Sequence, residues 1–329
     1  MELRPEEVVD RFGKMFSQGL LTLVDKERGV VEIVEQCSVR GTVEWDLANR
    51  LRAGGVIEEG WVDGTALILR AKIGTKPVSF GSASAIQGGQ ALEKVVIKNG
   101  FVYTHWAGIA GGGLGLAVCL PQAPGVIKAI YPTKGDLTKV GGAHTNRVII
   151  VTPEYSKVIV GIDDTDVKDK GATWASTLKV GRELEQYFTG LKLLSQRIFQ
   201  SYPEISWKTT NNVSMALSFA LPPNTSLERF VKAFIKRMSK YVYSDDACMT
   251  VYNGIEIPEK LRKYTRKVKS RVVKLEEAER LADQFAIKRV EITGKKGLIG
   301  ALAALAYYDA GLECAALADD PALRKVRRQ

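Results

Sequence analysis

An apolar run, Val158-Ile-Val-Gly-Ile162, ends in three carboxylates within four positions: Asp163, Asp164 and Asp166. A short run rich in β-branched residues reads as a buried strand. Such a strand cannot keep acids in the core. It must release them at its carboxyl end, where α/β sheets place their ligands. Carboxylates gathered there repel one another unless a cation neutralises them. A hard divalent ion with oxygen ligands suits the cluster, and Mg2+ commonly arrives with nucleotide phosphates. The alternative is an acidic turn running into Lys168-Asp169-Lys170, with Asp166 capping a helix.

Two later segments carry compatible chemistry. Trp207-Lys208-Thr209-Thr210-Asn211-Asn212 precedes a strand-like run and offers one cation and several hydrogen-bond donors to phosphate; Thr and Asn are also ordinary turn residues. Thr293-Gly294-Lys295-Lys296-Gly297 opens an alanine-rich helix. Free amides at a helix start beside two lysines form an anion site, unless the loop is only a tight strand-to-helix connection. Gly300, Ala301, Ala303 and Ala304 let that helix pack closely. A third glycine-rich run, Gly108 to Cys119, lacks the Gly-Lys-Ser/Thr of a P-loop and reads as either a close backbone approach to phosphate or a tight helix start.

The pattern along the chain predicts an α/β fold of mixed α+β character, in two domains, each a mixed sheet covered by helices. Helices are expected over Pro5–Phe16, Glu44–Arg52, Ala172–Thr189, Leu191–Ser201, Leu227–Tyr241, Leu275–Phe285 and Gly297–Ala310. Strands are expected within Leu20–Val34, over Ala66–Ile73, Arg147–Thr152, Lys157–Ile162, Val213–Leu221 and Ala286–Ile292, and from Thr250. A hairpin is expected across Lys98-Asn99-Gly100. Pro121–Asn146 reads as loop and Pro153–Lys157 as a turn between strands, placing a domain boundary near 152/153.

The formal charge of +10 favours polyanionic partners or is a solvated basic surface. Lys260–Lys274 concentrates eight Lys or Arg residues without an acid. Alternation over 266–272 predicts an exposed strand there, suited to RNA, to an acidic protein partner, or to lysine protection of a sheet edge. Arg324 to Arg328 adds a short basic tail. Four scattered cysteines, with no CxxC half-site, argue against a zinc ribbon and fit a reducing compartment. Gly297–Tyr308 is too short to span a bilayer, which takes roughly 20 residues. The expectation is a soluble, cytoplasmic protein without membrane contact. In the first half, Arg40, Glu44, Asp46, Arg50, His105, His144 and Arg147 are polar candidates only.

Taken in order, Gly161-Ile-Asp163-Asp164-Thr165-Asp166, Lys208-Thr-Thr-Asn-Asn212 and Gly294-Lys-Lys-Gly297-Leu-Ile-Gly300-Ala-Leu-Ala-Ala resemble the kinase-like domain of the archaeal tRNA 2-agmatinylcytidine synthetases. The resemblance covers about residues 158 to 310. It implies an ATP- and Mg2+-using domain over 153–329, with Asp163, Asp164 and Asp166 as metal or catalytic carboxylates. It implies Lys208 and Asn212 as active-site polar residues, and Gly294, Lys296 and Gly297 near phosphate. Thr165, Thr209, Asn211 and Lys295 lie in the same segments, and Thr173 is the one match to a threonine-rich helix start that takes part in that family's chemistry. The family's arginine between Thr209 and Asn212 is absent here. Its tRNA-holding OB-fold and zinc ribbon have no counterpart motif, so the tRNA substrate does not follow from the resemblance.

The layout, with about 150 residues ahead of the motif, looks like the methanogenesis marker protein 11 family. This implies ATP-dependent phosphoryl or nucleotidyl transfer in an archaeal methanogen, in methyl-coenzyme M reductase maturation or cofactor assembly. The alternatives are RNA modification at the same ATP site, and a nucleotide-binding assembly factor without catalysis.

Overall fold

The computed structural model describes residues 1–81 and 89–326. Contacts divide the chain into two compact units, Met1–Ser156 and Lys157–Gln329. Arg327 and Arg328 of the basic tail lie outside the described residues.

The first unit begins with β1 (Glu2–Leu3) and α1 (Pro5–Phe12). The helix stops four residues earlier than expected, because Gly13 turns the chain at φ 80°. Next come β2 (Ser17–Asp25), β3 (Val30–Cys37), α2 (Arg40–Ala53), β4 (Ile57–Asp63), β5 (Ala66–Lys72) and β6 (Gly74–Thr75). β7 (Gln90–Lys98) and β8 (Phe101–Ile109) form the predicted hairpin, with Asn99 and Gly100 both at positive φ. The glycine run becomes α3 (Gly111–Leu114), followed by a π-helical turn. A Cβ on Gly112 would lie 2.2 Å from the Gly89 carbonyl oxygen, so the run answers to close backbone packing. The expected loop over 121–146 contains β9 (Lys128–Ile130) and α4 (Lys134–Thr138).

β10 (Thr145–Asp163) runs without interruption through Pro153–Lys157, where the sequence predicts a turn. Its backbone there finds partners on both sides. Glu154 and Tyr155 pair in parallel with Thr22 and Leu23 of β2, and the Glu154 N–H donates to the Gly100 carbonyl at 2.9 Å. Satisfied backbone groups remove the reason to turn. The core of this unit packs Leu20, Val31, Ile33, Leu67, Leu69, Trp106 and Ile150 with Val43 of α2.

Among the described residues, the second unit has a five-stranded sheet in the order β11-β12-β10-β13-β14, built from β11 (Lys192–Gln200), β12 (Val213–Leu221), the end of β10, β13 (Cys248–Asn253) and β14 (Lys288–Glu291). Two sets of helices cover it: α5 (Thr173–Tyr187) and α6 (Leu227–Met238) in one core, α7 (Glu259–Ser270), α8 (Leu275–Gln284) and α9 (Leu298–Ala306) in the other; α10 (Leu312–Ala315) is a short turn near the end.

Two expectations fail here. Leu191–Ser201 is strand β11, because eight rungs of antiparallel pairing with β12 outweigh its helix-compatible composition. Lys260–Lys274 is mainly helix α7, because Leu261, Tyr264, Thr265 and Val268 are buried at 3–4-residue spacing beneath the alternating cations.

Candidate active site

Strand alternation determines which way the end of β10 faces. Val158, Val160 and Ile162 enter the core shared with α5 and α6, whereas Ile159 enters the core shared with α9. Gly161 therefore meets α9, and a Cβ there would lie 1.9 Å from the Ala301 carbonyl oxygen. Asp163 falls on the same face. Its Oδ2 points at Gly300, whose added Cβ would lie 1.9 Å from that oxygen and 2.3 Å from Ser214 Oγ. The small residues of α9 thus make room for a carboxylate as well as for close packing.

Asp163 Oδ1 accepts the Asp164 N–H at 2.8 Å. Burial, then the neighbouring Asp164 charge, pushes the Asp163 carboxyl up to about 8, against the opposing pull of the Asp164 amide and Ser214. The Ser214 hydroxyl is buried and makes no hydrogen bond, although its dipole lies against Asp163. Asp164 sits at φ 59°, a left-handed conformation that aspartate tolerates better than most residues and that clusters at functional sites. It accepts from Ser244 Oγ at 3.1 Å. Its carboxyl is also raised, first by burial and further by Asp246 and Asp166, with Ser244 and Lys296 opposing. Asp166 accepts from Thr173 Oγ1 at 3.2 Å, and Thr165 Oγ1 donates to Thr173 Oγ1 at 2.9 Å. Thr173 thereby ties the acidic loop to the first turn of α5.

Asp246 is the carboxylate that motif reading missed. β13 runs antiparallel to β10 with Cys248 opposite Asp163, so the residues just before β13 lie beside the end of β10. Asp246 accepts from Lys296 Nζ at 2.6 Å, and its carbonyl accepts the Gly297 N–H at 3.0 Å. Thr293 Oγ1 donates to the Ser244 carbonyl at 2.8 Å and accepts the Ala247 N–H at 2.9 Å. Gly294 has no room for a side chain, since its Cβ would lie 2.3 Å from the Asp245 carbonyl oxygen. At the start of α9, the Leu298 and Ile299 amides donate to the Lys295 and Lys296 carbonyls. Lys295 faces Glu291 at 3.8 Å.

The 207–212 loop reaches this end of the sheet through Ser214. Lys208 Nζ donates to the Pro203 carbonyl, and Asn212 Nδ2 donates to the Tyr202 carbonyl at 2.7 Å. Among the described residues no hydrogen bond or ion pair joins Lys208, Thr209, Asn211 or Asn212 to the aspartates. Nor do three acidic, histidine or cysteine side chains already stand in metal-ligating array among the described residues. The donor set nonetheless suits Mg2+: hard carboxylate oxygens whose mutual repulsion a cation would relieve, and an orphaned buried hydroxyl beside them.

Four of the eight cations of the basic segment are engaged inside their own unit. Arg262 pairs with Asp309 at 2.9 Å, Arg266 with Glu259 at 2.5 Å and Lys267 with Glu277 at 2.6 Å. Lys269 is buried and donates to the carbonyls of Gln200, Cys314 and Ala316. In the first unit, Arg40 pairs with Glu44 and Arg147 with Glu93, while Arg50 and Asp46 share a buried network with Glu35 and Gln90. His105 is partly buried, and His144 Nε2 lies 3.9 Å from Asp136. No helix among the described residues is long and apolar enough to cross a membrane.

Residues 159–294 match the TiaS TCKD domain. The tRNA 2-agmatinylcytidine synthetase TiaS of Pyrococcus horikoshii is 27% identical over 151 residues, 45% of this chain and 35% of the synthetase, so the chain spans about a third of that relative. The solved complex of TiaS with its tRNA and ATP aligns at a TM-score of 0.40 with 23% identity, over 46% of this chain and 36% of the other. The uncharacterized protein MJ0921 of Methanocaldococcus jannaschii is 35% identical over 290 residues, 88% of this chain and 92% of that protein. A match of that extent runs through both compact units, and the chain belongs to the same family as MJ0921.

Proposed function

We propose that Lys157–Gln329 is an ATP-using catalytic unit that modifies an RNA acceptor. The observation that carries this reading is the meeting of Asp163, Asp164 and Asp246 with the Gly294–Gly300 turn, inside the segment that matches a domain of a tRNA-modifying synthetase. Asp163, Asp164 and Asp166, with Asp246, would hold Mg2+, which neutralises phosphate charge when bound. The Lys295-Lys296 turn would hold the triphosphate, with Lys296 leaving Asp246 to supply a cation to a phosphate oxygen. Thr165 and Thr173 hold the acidic loop in place. Lys208, Thr209, Asn211 and Asn212 lie on the loop available to the acceptor. Positioning and charge neutralisation supply most of the rate in chemistry of this kind.

The test is binding and turnover of ATP by the full chain, with and without Mg2+, followed by transfer of label from ATP to RNA transcripts. Asp164→Asn is expected to weaken both by at least tenfold. If that variant binds and turns over ATP like the parent, this mechanism is wrong. Tight binding without turnover would select an assembly factor.

A second reading keeps the ATP site and changes the acceptor, to one used in methyl-coenzyme M reductase maturation or cofactor assembly, as the methanogenesis marker resemblance implies. The MJ0921 match includes the first unit, which the synthetase match leaves out, so a role for that unit separates this reading from the RNA one. ATP turnover without RNA labelling would select it.

A further inference from the structure

We propose that the outer face of α6 is a track for the phosphate backbone of single-stranded RNA, leading it to the carboxylates at the end of β10. The inference rests on the RNA-acting reading above and names where the RNA lies.

α6 is divided along its length. Phe230, Val231, Phe234 and Met238 are buried on one side. Arg229, Lys232, Lys236, Arg237 and Lys240 recur at 3–4-residue spacing on the other and line a groove of about 790 Å³ against the end of α5. From Arg229 to Lys240, which lies in the turn just after α6, eleven steps at about 1.5 Å each make a stripe about 16 Å long. Two carboxylates share the groove: Glu228 pairs with Lys232 at 2.7 Å, and Glu183 lies 4.0 Å from Arg237. Among the described residues, Arg229, Lys236 and Lys240 have no ion-pair partner. This contrasts with α7, whose cations are mostly paired or buried.

The groove also carries aromatic surface. Tyr187 is 54% exposed, with the Arg237 guanidinium 4.3 Å from its ring centre, and Arg229 lies 5.2 Å from the Phe188 ring. Phe188 is buried, so Tyr187 is the ring this groove exposes, and an exposed ring beside cations suits a base stacked next to a tracked backbone. An acidic protein segment would use the cations and leave Tyr187 idle, which is why RNA is the favoured occupant.

The stripe has a direction. After α6 the chain passes through Lys240 and Tyr241 to Tyr243, whose N–H donates to the Thr165 carbonyl at 2.8 Å, and to Ser244, which donates to Asp164. Tyr243 is itself exposed, with Lys170 Nζ 4.3 Å from its ring centre. A strand laid along α6 toward its carboxyl end therefore arrives at the acidic loop.

The test is fluorescence anisotropy of the full chain with a short labelled single-stranded RNA across a salt series. The α6 variant carries Arg229→Gln, Lys236→Gln and Lys240→Gln; the comparison variant carries Lys260→Gln, Lys263→Gln and Arg271→Gln on and after α7. The α6 variant is expected to raise Kd at least tenfold at low salt. It should also flatten the log–log salt slope by about 2, at roughly 0.7 per phosphate contact on a single strand. The α7 variant should bind like the parent, and ATP-analogue binding should be unchanged in both. Equal RNA binding by the parent and the α6 variant overturns the track and leaves the RNA reading standing. No RNA binding by the parent overturns both. Polyglutamate competing as well as unlabelled RNA, mass for mass, overturns the track in favour of an acidic protein partner.

Discussion

Replacing Asp163 with asparagine should stabilise the fold at alkaline pH while abolishing its chemistry. In the native state burial, and then Asp164, lifts the Asp163 carboxyl from the ordinary 3.8 to about 8. In the unfolded chain it titrates near 3.9. Between those values the native state holds a proton that the unfolded state has released, so stability falls as pH rises through the window and is fully present only below about pH 4. Each pH step of one is worth about 1.36 kcal/mol, which sets a ceiling of roughly 5 kcal/mol across the window. For a unit of this size 1 kcal/mol corresponds to roughly 2–4 °C in Tm. The asparagine of the variant has no charge to lose. Its side-chain oxygen can still accept the Asp164 N–H, and its amide can donate to the unpartnered Ser214 hydroxyl. Calorimetric melts of both proteins at pH 5, 6, 7 and 8, without nucleotide or metal, read the difference. The advantage of Asp163→Asn should grow by several degrees toward pH 8, and ATP with Mg2+ should narrow it by stabilising only the parent. Parallel melting curves across the series would refute the account of a buried, charge-crowded Asp163.

Other outcomes follow from single contacts. Gly300→Ala should destabilise the second unit by about 1–3 kcal/mol in urea unfolding and weaken ATP-analogue binding, because its methyl would overlap Asp163 Oδ2. Arg50→Met should cost about 3–5 kcal/mol, since Arg50 Nη1 donates to Glu35 at 2.7 Å and Nε to Gln90 at 2.7 Å, and Glu35 and Asp46 would be left buried and uncompensated. Lys269→Met should cost about 2–4 kcal/mol by stranding three buried carbonyls, without changing RNA affinity; a drop in RNA affinity alone would return α7 to the binding surface. Lys296→Ala should weaken triphosphate binding several-fold with little effect on urea midpoints, as the ion pair with Asp246 is exposed on the lysine side.

How much of this was legible in the sequence depends on whether the deciding contact is local. The β7–β8 hairpin was readable because Asn99-Gly100 encodes its own turn. The exit of β10 was readable because the run of acids after Ile162 marks the end of an apolar strand, although Asp163 itself stays buried against α9. The helix α7 was misread for a physical reason: its cations alternate over 266–272, but the residues that decide are Leu261, Tyr264, Thr265 and Val268, and their 3.6-residue period was masked by the charges between them. Leu191–Ser201 failed differently. Nothing within it favours a strand as strongly as its neighbour β12 does, and a neighbour is a tertiary fact.

The same distinction governs the site. Asp163 and Asp164 announce themselves, whereas Asp246 becomes a site residue only because β13 pairs antiparallel with β10 in the register that sets Cys248 opposite Asp163. A shift of one residue would turn the β13 side chains to the opposite face and part Asp246 from Lys296. That register is held by six consecutive rungs from Val158–Asn253 to Asp163–Cys248 and by α9 lying against Gly161. Gly161→Val should therefore separate Asp164 from Asp246 without touching either. The expected result is loss of nucleotide binding in a protein whose strand content by circular dichroism is retained; nucleotide affinity equal to the parent's would show that the two strands need not be held in this register for the carboxylates to act.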